Sequence, residues 1–138
     1  MFLLDTNVVS ELRRAASGKA DRRVVDWAHS VPPAMIYLSA ISILELEIGI
    51  QRAERHDSAQ GAVLRSWLET KVIPAFSGRI LSFDLEVARR CAPLHVPDPQ
   101  SERDAMIAAT ALTYGLTVVT RNVADFEKTG VAIMNPWT

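Results

Sequence analysis

The sequence predicts an α/β protein with a mostly parallel central sheet flanked by helices. Short apolar runs alternate with amphipathic helical segments along the chain, which is typical of parallel sheets with crossover helices. The first run, Phe2 to Leu4, is apolar at every position, as expected of a strand buried on both faces. No repeat, low-complexity tract or linker interrupts the 138 residues, so we expect one domain spanning residues 1–138.

Five strands and six helices are expected in this order. The predicted strands are Phe2 to Leu4, Met35 to Ser39, Arg79 to Phe83, Leu116 to Thr120 and Val131 to Met134. The predicted helices are Val8 to Arg14, a segment capped by Asp21, residues 41–56 capped by Ser39 or Ser42, Ser58 to Ala75, a segment capped by Asp84, and Ala105 to Tyr114.

Composition favours an ordinary globular protein of a reducing compartment. The chain is 49% hydrophobic and 22% charged, and its single cysteine, Cys91, cannot form an internal disulfide. No apolar run approaches the roughly 20 residues of a membrane span, so we expect a cytoplasmic protein. The net charge of −1 is neutral evidence on nucleic acid. Five basic residues between Arg13 and Arg23 form either a phosphate-binding patch or a solvated surface.

Polar residues follow two predicted strands and open one helix. Asp5 follows the first strand, Asn122 and Asp125 follow the fourth, and Asp104 precedes the helix Ala105 to Tyr114. Ligands of open α/β sheets bind beyond the carboxyl ends of the strands, where Asp5 and the turn after the fourth strand both belong.

Each of these acids also has a purely structural interpretation. Asp5 is in position to cap a helix, and Asp125 to cap the turn before Phe126. Ser101 and Asp104 have the spacing of a capping box, with the acid in the first helical turn.

Glu45 is harder to explain structurally. It lies three or four residues from Ile41, Ile48 and Gly49, so we expect it on the inward face of its helix. Glu47 is expected to face solvent. A carboxylate on an apolar face is costly unless something pairs with it.

Carboxylates that converge need protons or cations to neutralise them. Oxygen ligands favour Mg²⁺, with Mn²⁺ as the alternative, and such ions activate water for attack on a phosphodiester. The three histidines and Cys91 lack the spacing of a zinc site, and the six glycines form no phosphate-binding loop.

Four segments, in order, resemble one known family. FLLDTNVVSEL, SAISILELEIG, RDAMIAATAL and TVVTRNVADFEKTGVAIMNPW are similar to segments of PIN-domain ribonucleases, and more closely to VapC toxins of the FitB-like branch. The resemblance implies a three-layer PIN-like sandwich and a Mg²⁺-dependent endoribonuclease acting on RNA. It implies that Asp5 and Asp104 are metal ligands and that Glu45 is a third essential acid.

The resemblance leaves the fourth acidic position open. Asn122 stands where the family commonly has aspartate, and Asp125 follows it. Thr6 and Asn7 match the DTN signature and are expected to support the site through hydrogen bonds.

The resemblance also implies partners. We expect a homodimer, and a heterotetramer or larger assembly with a VapB-like antitoxin. A carboxylate cluster is a strong site for a guanidinium, so an arginine from a basic antitoxin tail is expected to enter beside the acids. The helix through Trp27 is either part of the antitoxin groove or plain core.

Three other classes fit less well. A phosphatase of the haloacid-dehalogenase type needs a second aspartate where this chain has Asn7, and a response-regulator receiver needs paired acids after the first strand and a lysine where this chain has Arg121. A catalytically silent binding module would have no use for Asp5, Glu45 and Asp104.

Overall fold

The computed structural model describes residues 1–138 and is built around a five-stranded, all-parallel sheet in the order β3-β2-β1-β4-β5. The strands are β1 (Phe2–Leu4), β2 (Ile36–Ser39), β3 (Ile80–Leu81), β4 (Thr117–Val119) and β5 (Ile133–Met134). All five predicted strands are present, although β3 and β5 are only two residues long. The predicted fold class is confirmed.

Eight helices lie between the strands along the chain. They are α1 (Thr6–Arg13), α2 (Arg22–Ser30), α3 (Ala40–His56), α4 (Ser58–Trp67), α5 (Ile73–Ala75), α6 (Leu85–Cys91), α7 (Glu102–Tyr114) and α8 (Val123–Phe126). A wider π-helical turn, Leu68–Val72, joins α4 to α5, so the predicted helix Ser58 to Ala75 is continuous with one irregular turn. Ser39, not Ser42, caps α3 by accepting a hydrogen bond from Ile41 N.

The sheet is the middle layer between two apolar cores. Leu4 packs in one core with side chains of α1, α3 and the Leu68–Val72 turn, whereas Leu3 packs in the other with side chains of α7. Trp27 packs edge-to-face on Phe2 with ring centroids 5.4 Å apart, so it belongs to the first core and not to an open groove.

The predicted inward face of α3 is only partly correct: Ile41 is buried and Glu45 reaches the site, but Gly49 is exposed. Leu44 is 46% exposed and Gly49 is exposed, while the buried residues of the helix are Ile41, Ser42, Leu46 and Ile50. Residues 41–50 are apolar in so many positions that more than one helical face reads as inward. Apolar residues are exposed in the segment from α4 to α5 as well, where Val63 is 60% and Ile73 39% exposed.

Parallel pairing brings the ends of β1 and β4 together. Leu4 is in register with Val119, and the backbone N–H of Asp5 donates to the Val119 carbonyl at 2.9 Å. The residues after these two strands therefore lie side by side at one edge of the sheet. Separately, none of the helices has the length and apolar character needed to cross a bilayer.

Two glycines give a matched test of backbone conformation. Gly115 ends α7 at φ +68°, whereas Gly49 lies inside α3, and a Cβ at either position would meet nothing within 4 Å. We expect Gly115→Ala to lower the free energy of unfolding by about 1 kcal/mol, because only its backbone is strained. Gly49→Ala should raise it by about 0.5–1 kcal/mol through helix propensity. Urea denaturation measures both free energies of unfolding. Changes of the same sign in the two variants would contradict the left-handed conformation of Gly115 or the helical conformation of Gly49.

Candidate functional site

Asp5 occupies the carboxyl edge of β1 and is only 5% exposed. Its Oδ1 accepts a hydrogen bond from Thr6 N at 2.8 Å, which makes it the N-cap of α1. Its Oδ2 accepts from Thr120 Oγ1 at 2.8 Å and from Asn7 Nδ2 at 3.2 Å. The structural role expected of Asp5 is therefore real, and it leaves the carboxylate fixed in position.

Thr6 connects Asp5 to Glu45. While its backbone N–H donates to Asp5, its hydroxyl donates to Glu45 Oε1 at 2.7 Å. Ser42 Oγ lies 3.1 Å from the same hydroxyl and must be the donor in that contact, since Thr6 has one hydroxyl proton and the carboxylate accepts it. Glu45 is thus held at the site by α1 as well as by its own helix.

Glu47 is expected to face solvent, but in the structure it is paired with an arginine. Its carboxylate binds Arg65 of α4 at 2.6 Å and is one-third exposed. The same guanidinium reaches Glu54 at 3.2 Å, so Glu47 belongs to the α3–α4 packing. It points away from Thr6 and takes no part in the acidic edge.

Asp104 enters from the first turn of α7. Ser101 precedes the helix but makes no capping hydrogen bond from its side chain, so the expected capping box does not form. Burial raises the pKa of Asp104 against the lowering effect of the Ser101 hydroxyl and of the Arg103 charge, and the charges of Asp125 and Glu45 raise it further. Asp104 therefore lies within electrostatic reach of acids from α3 and α8.

The two candidates for the fourth acidic position differ in their surroundings. Asn122 precedes α8 without a side-chain capping bond, and its backbone N–H donates to Thr120 Oγ1 at 3.0 Å. Asp125 lies in the first turn of α8, and its charge acts on Asp104. Of the two, Asp125 is the one with an electrostatic influence on the acidic edge.

Asn7 ties α1 to the loop after β4. Its Nδ2 lies 3.2 Å from Asp5 Oδ2 and 3.3 Å from Thr120 Oγ1, and its Oδ1 accepts from Arg121 N at 3.4 Å. The amide therefore supports Asp5 and orients the neighbouring loop at the same time.

Sequence reasoning missed three residues of this edge. Thr120 is fully buried and donates to Asp5, and Ser42 is fully buried beside Thr6. Arg103 lies 3.6 Å from Glu45 Oε2, whereas Arg121, which follows Thr120 directly, stacks over Trp137 at 5.5 Å. The available signals were the threonine ending the strand beside β1 and the arginine adjoining Asp104.

The basic cluster between Arg13 and Arg23 is mostly neutralised. Arg23 pairs with Asp21 at 2.8 Å, Arg22 with Asp26 at 3.0 Å, and Arg14 with Glu11 at 3.6 Å. These contacts favour the solvated-surface interpretation over a phosphate-binding patch.

Asp5 is buried near two other acids, and no cation offsets its charge. Burial raises its pKa from 3.8 to about 6, and Asp104 and Glu45 add to the rise against the hydrogen bonds from Thr120 and Thr6. A bound cation would relieve this cost. No three acidic, histidine or cysteine side chains lie close enough to enclose a metal ion. Two carboxylates supplemented by water suffice for Mg²⁺, so the electrostatic coupling of Asp5 with Asp104 is compatible with such an ion.

Comparisons with known proteins agree with this architecture. The PIN domain family model matches residues 2–131. The VapC ribonuclease Y4jK of Sinorhizobium fredii is 39% identical over 142 residues, covering 99% of this chain and 98% of that protein. Toxin FitB of Neisseria gonorrhoeae is 41% identical over 143 residues, with 99% of both chains covered. The crystal structure of FitAcB from Neisseria gonorrhoeae matches with a TM-score of 0.88, 39% identity and 99% of both chains covered. A toxin–antitoxin complex is also among the similar solved structures.

The all-parallel sheet, with buried and hydrogen-bonded acids beyond its carboxyl ends, defines an α/β protein with an acidic site. The chain belongs to the PIN-domain family. Within that family it is similar over nearly its whole length to proteins of the VapC and FitB type.

The raised pKa of Asp5 predicts how stability depends on pH without metal. A folded pKa of about 6 lies above the unfolded value of 3.8, so the ionised group destabilises the fold fully above pH 6. This cost, up to about 3 kcal/mol for a shift of two units, is relieved as pH falls from 6 towards 4. Wild type should therefore gain stability relative to Asp5→Asn between pH 7 and 5. Denaturant titrations in EDTA measure the difference, and a pH-independent difference would refute the shift.

Proposed function

We propose that the protein is a Mg²⁺-dependent endoribonuclease, the toxin of a toxin–antitoxin pair, acting in the cytoplasm. The observation that carries this proposal is the bridge at Thr6, which holds Asp5 and Glu45 together at the edge where Asp104 also lies. The ribonuclease and toxin relatives supply the reaction class. A group of acids with this much unmet negative charge suits metal-assisted attack on a phosphodiester.

Each acid has a distinct role in this proposal. Asp5 and Asp104 would hold Mg²⁺, or Mn²⁺ in its place, and such an ion would supply charge neutralisation and a more acidic water. Glu45 accepts the proton of the attacking water, and Thr6 keeps its carboxylate aimed at the site. Thr120 and Asn7 fix Asp5 so that one orientation of its oxygens is presented. Preorganised acceptors of this kind need little rearrangement during the reaction.

The direct test is RNA cleavage in cells and in solution. Expression of the wild type should create new RNA 5′ ends, and expression of Asp5→Asn should not. Purified protein should cleave RNA in Mg²⁺ and not in EDTA. Full activity of a folded Asp5→Asn, Asp104→Asn double variant would exclude the metal site.

Glu45 and Glu47 form a matched pair on one helix. Glu45→Gln should abolish cleavage, because the amide cannot accept a proton from water. Glu47→Gln should leave activity within about twofold and lower stability by up to about 1 kcal/mol, since it weakens a partly exposed ion pair with Arg65. Single-turnover cleavage and thermal unfolding of both variants measure this. Loss of activity in Glu47→Gln with a normal Glu45→Gln would reverse the assignment.

For the fourth position we propose Asp125 as the acid that acts on the metal, because its charge reaches Asp104. Asp125→Asn should then weaken Mg²⁺ binding several-fold, and Asn122→Ala should change it little. Calorimetric Mg²⁺ titrations distinguish the two. The opposite ranking, with Asn122→Asp tightening binding, would assign the position to Asn122.

We further propose a small antitoxin partner and a homodimer that assembles with it into a heterotetramer or larger complex. A groove of about 150 Å³ between α1 and the α4–α5 segment, lined by Val9, Leu12, Trp67, Val72 and Phe76, suits an apolar helix of that partner. The helix through Trp27 does not line this groove.

An arginine from the basic tail of the antitoxin would pair with the acids and compete with Mg²⁺. Inhibition that is indifferent to Mg²⁺ concentration would contradict this arrangement.

A further inference from the structure

Arg103 is the one cation in contact with the acidic edge, and it has no role in the proposed reaction. It precedes Asp104 in the first turn of α7, and its Nε lies 3.6 Å from Glu45 Oε2. Four acids lie at this edge: Asp5, Glu45, Asp104 and Asp125. An RNA chain is itself an anion, so a cation near the scissile phosphate would offset the repulsion.

The ion pair holds Arg103 only weakly. At 3.6 Å the contact is too long for a charge-assisted hydrogen bond, and the arginine side chain is 47% exposed. None of its N–H groups makes a hydrogen bond within the protein, whereas Arg65 donates to Glu47 and Glu54. An exposed pair of this kind contributes little stability, so moving Arg103 away costs little.

Glu45 does not need Arg103 to remain in place. Its other oxygen, Oε1, is fixed by the Thr6 hydroxyl at 2.7 Å. The guanidinium can therefore turn outwards while Glu45 keeps its position and becomes free to accept a proton.

A hollow of about 480 Å³ adjoins Arg103. It is lined by Leu44, Ser101, Glu102, Arg103 and Met106. Leu44 is 46% exposed although it is apolar, and it immediately precedes Glu45 in α3. Leu44 and Met106 offer apolar surface of the kind on which a nucleobase packs, with the guanidinium at its margin.

We propose that Arg103 binds an RNA phosphate at the mouth of the acidic site, and that the adjoining hollow receives the nucleotide attached to that phosphate. The contact with Glu45 is the resting position of the arginine. Guanidinium groups bind phosphates with two parallel hydrogen bonds, and Arg103 has its donors available. This inference rests on the proposed ribonuclease function and names the residue that holds its substrate.

The test compares Arg103→Gln, Arg103→Lys and a control, Arg55→Gln, in the full chain. Arg55 is exposed on the same α3 as Glu45 but ten residues, or about 15 Å, further along it. A fluorescently labelled single-stranded RNA of random sequence is cleaved under single-turnover conditions in Mg²⁺. Varying protein concentration separates the half-saturation concentration from the maximal rate, and repeating at several salt concentrations gives the salt dependence.

Arg103→Gln should raise the half-saturation concentration about tenfold, the effect of one lost charged hydrogen bond, with the maximal rate within about twofold. The slope of log affinity against log salt should fall by about 0.7, as for one phosphate contact on a single strand. Arg103→Lys should keep the wild-type slope and recover part of the affinity. Arg55→Gln should behave as wild type.

Three results would overturn the inference while leaving the nuclease function intact. The same half-saturation concentration and salt slope in Arg103→Gln and Arg55→Gln would show that Arg103 does not touch RNA. A fall in maximal rate at unchanged half-saturation would show that it acts only through Glu45. Faster cleavage with tighter Mg²⁺ binding would show that it obstructs the site. Absence of cleavage by the wild type would instead refute the proposed function, and the inference with it.

Discussion

The acidic edge depends on one residue that serves two carboxylates at once. The backbone N–H of Thr6 donates to Asp5 and its hydroxyl donates to Glu45. The two hydrogen bonds fix the position of Glu45 on α3 relative to Asp5 at the start of α1. Asp5 takes part because β1 ends there. Glu45 takes part because α3 follows β2 directly, and Ser42, the third residue of that helix, contacts the same Thr6 hydroxyl. Without the hydroxyl bond, Glu45 would keep only its longer contact with Arg103 at 3.6 Å, whereas Asp5 would still be held by Thr120 and Asn7.

The structure holds these acids against an electrostatic cost. Asp5 is buried beside like charges, and three donors, from Thr6, Asn7 and Thr120, only partly compensate. Elsewhere in the molecule charges are paired in the ordinary way, as in the bridge from Arg65 to Glu47 and Glu54. The contrast between a fully paired helix interface and an underpaired sheet edge is typical of proteins that give up some stability for function.

The sequence was most informative where strand ends determine position. Asp5 follows a wholly apolar run, and parallel topology alone brings its neighbourhood to the end of β4. Reasoning from helical periodicity was less reliable in α3, because six of the ten residues from 41 to 50 have apolar side chains and the exposed Leu44 resembles a core residue. The pairing of Glu47 with Arg65 was beyond such reasoning, since it depends on how α3 and α4 cross. Thr120 and Arg103 stand at positions that the sequence marks, but their partners Asp5 and Glu45 lie far away in the chain, so the contacts themselves depend on the tertiary fold.

The hydrogen bond between Asp5 and Thr120 joins residues 115 positions apart. β4 must insert beside β1 before that bond can form, and the segment carrying Asp104 comes only shortly before β4 in the chain. During synthesis the ribosome therefore releases Asp5 and Glu45 long before Asp104 and Thr120 exist, and contacts this distant form late. A growing chain holds no assembled acidic site until β4 has emerged, so the onset of the proposed cleavage activity is tied to the pairing of β4 with β1.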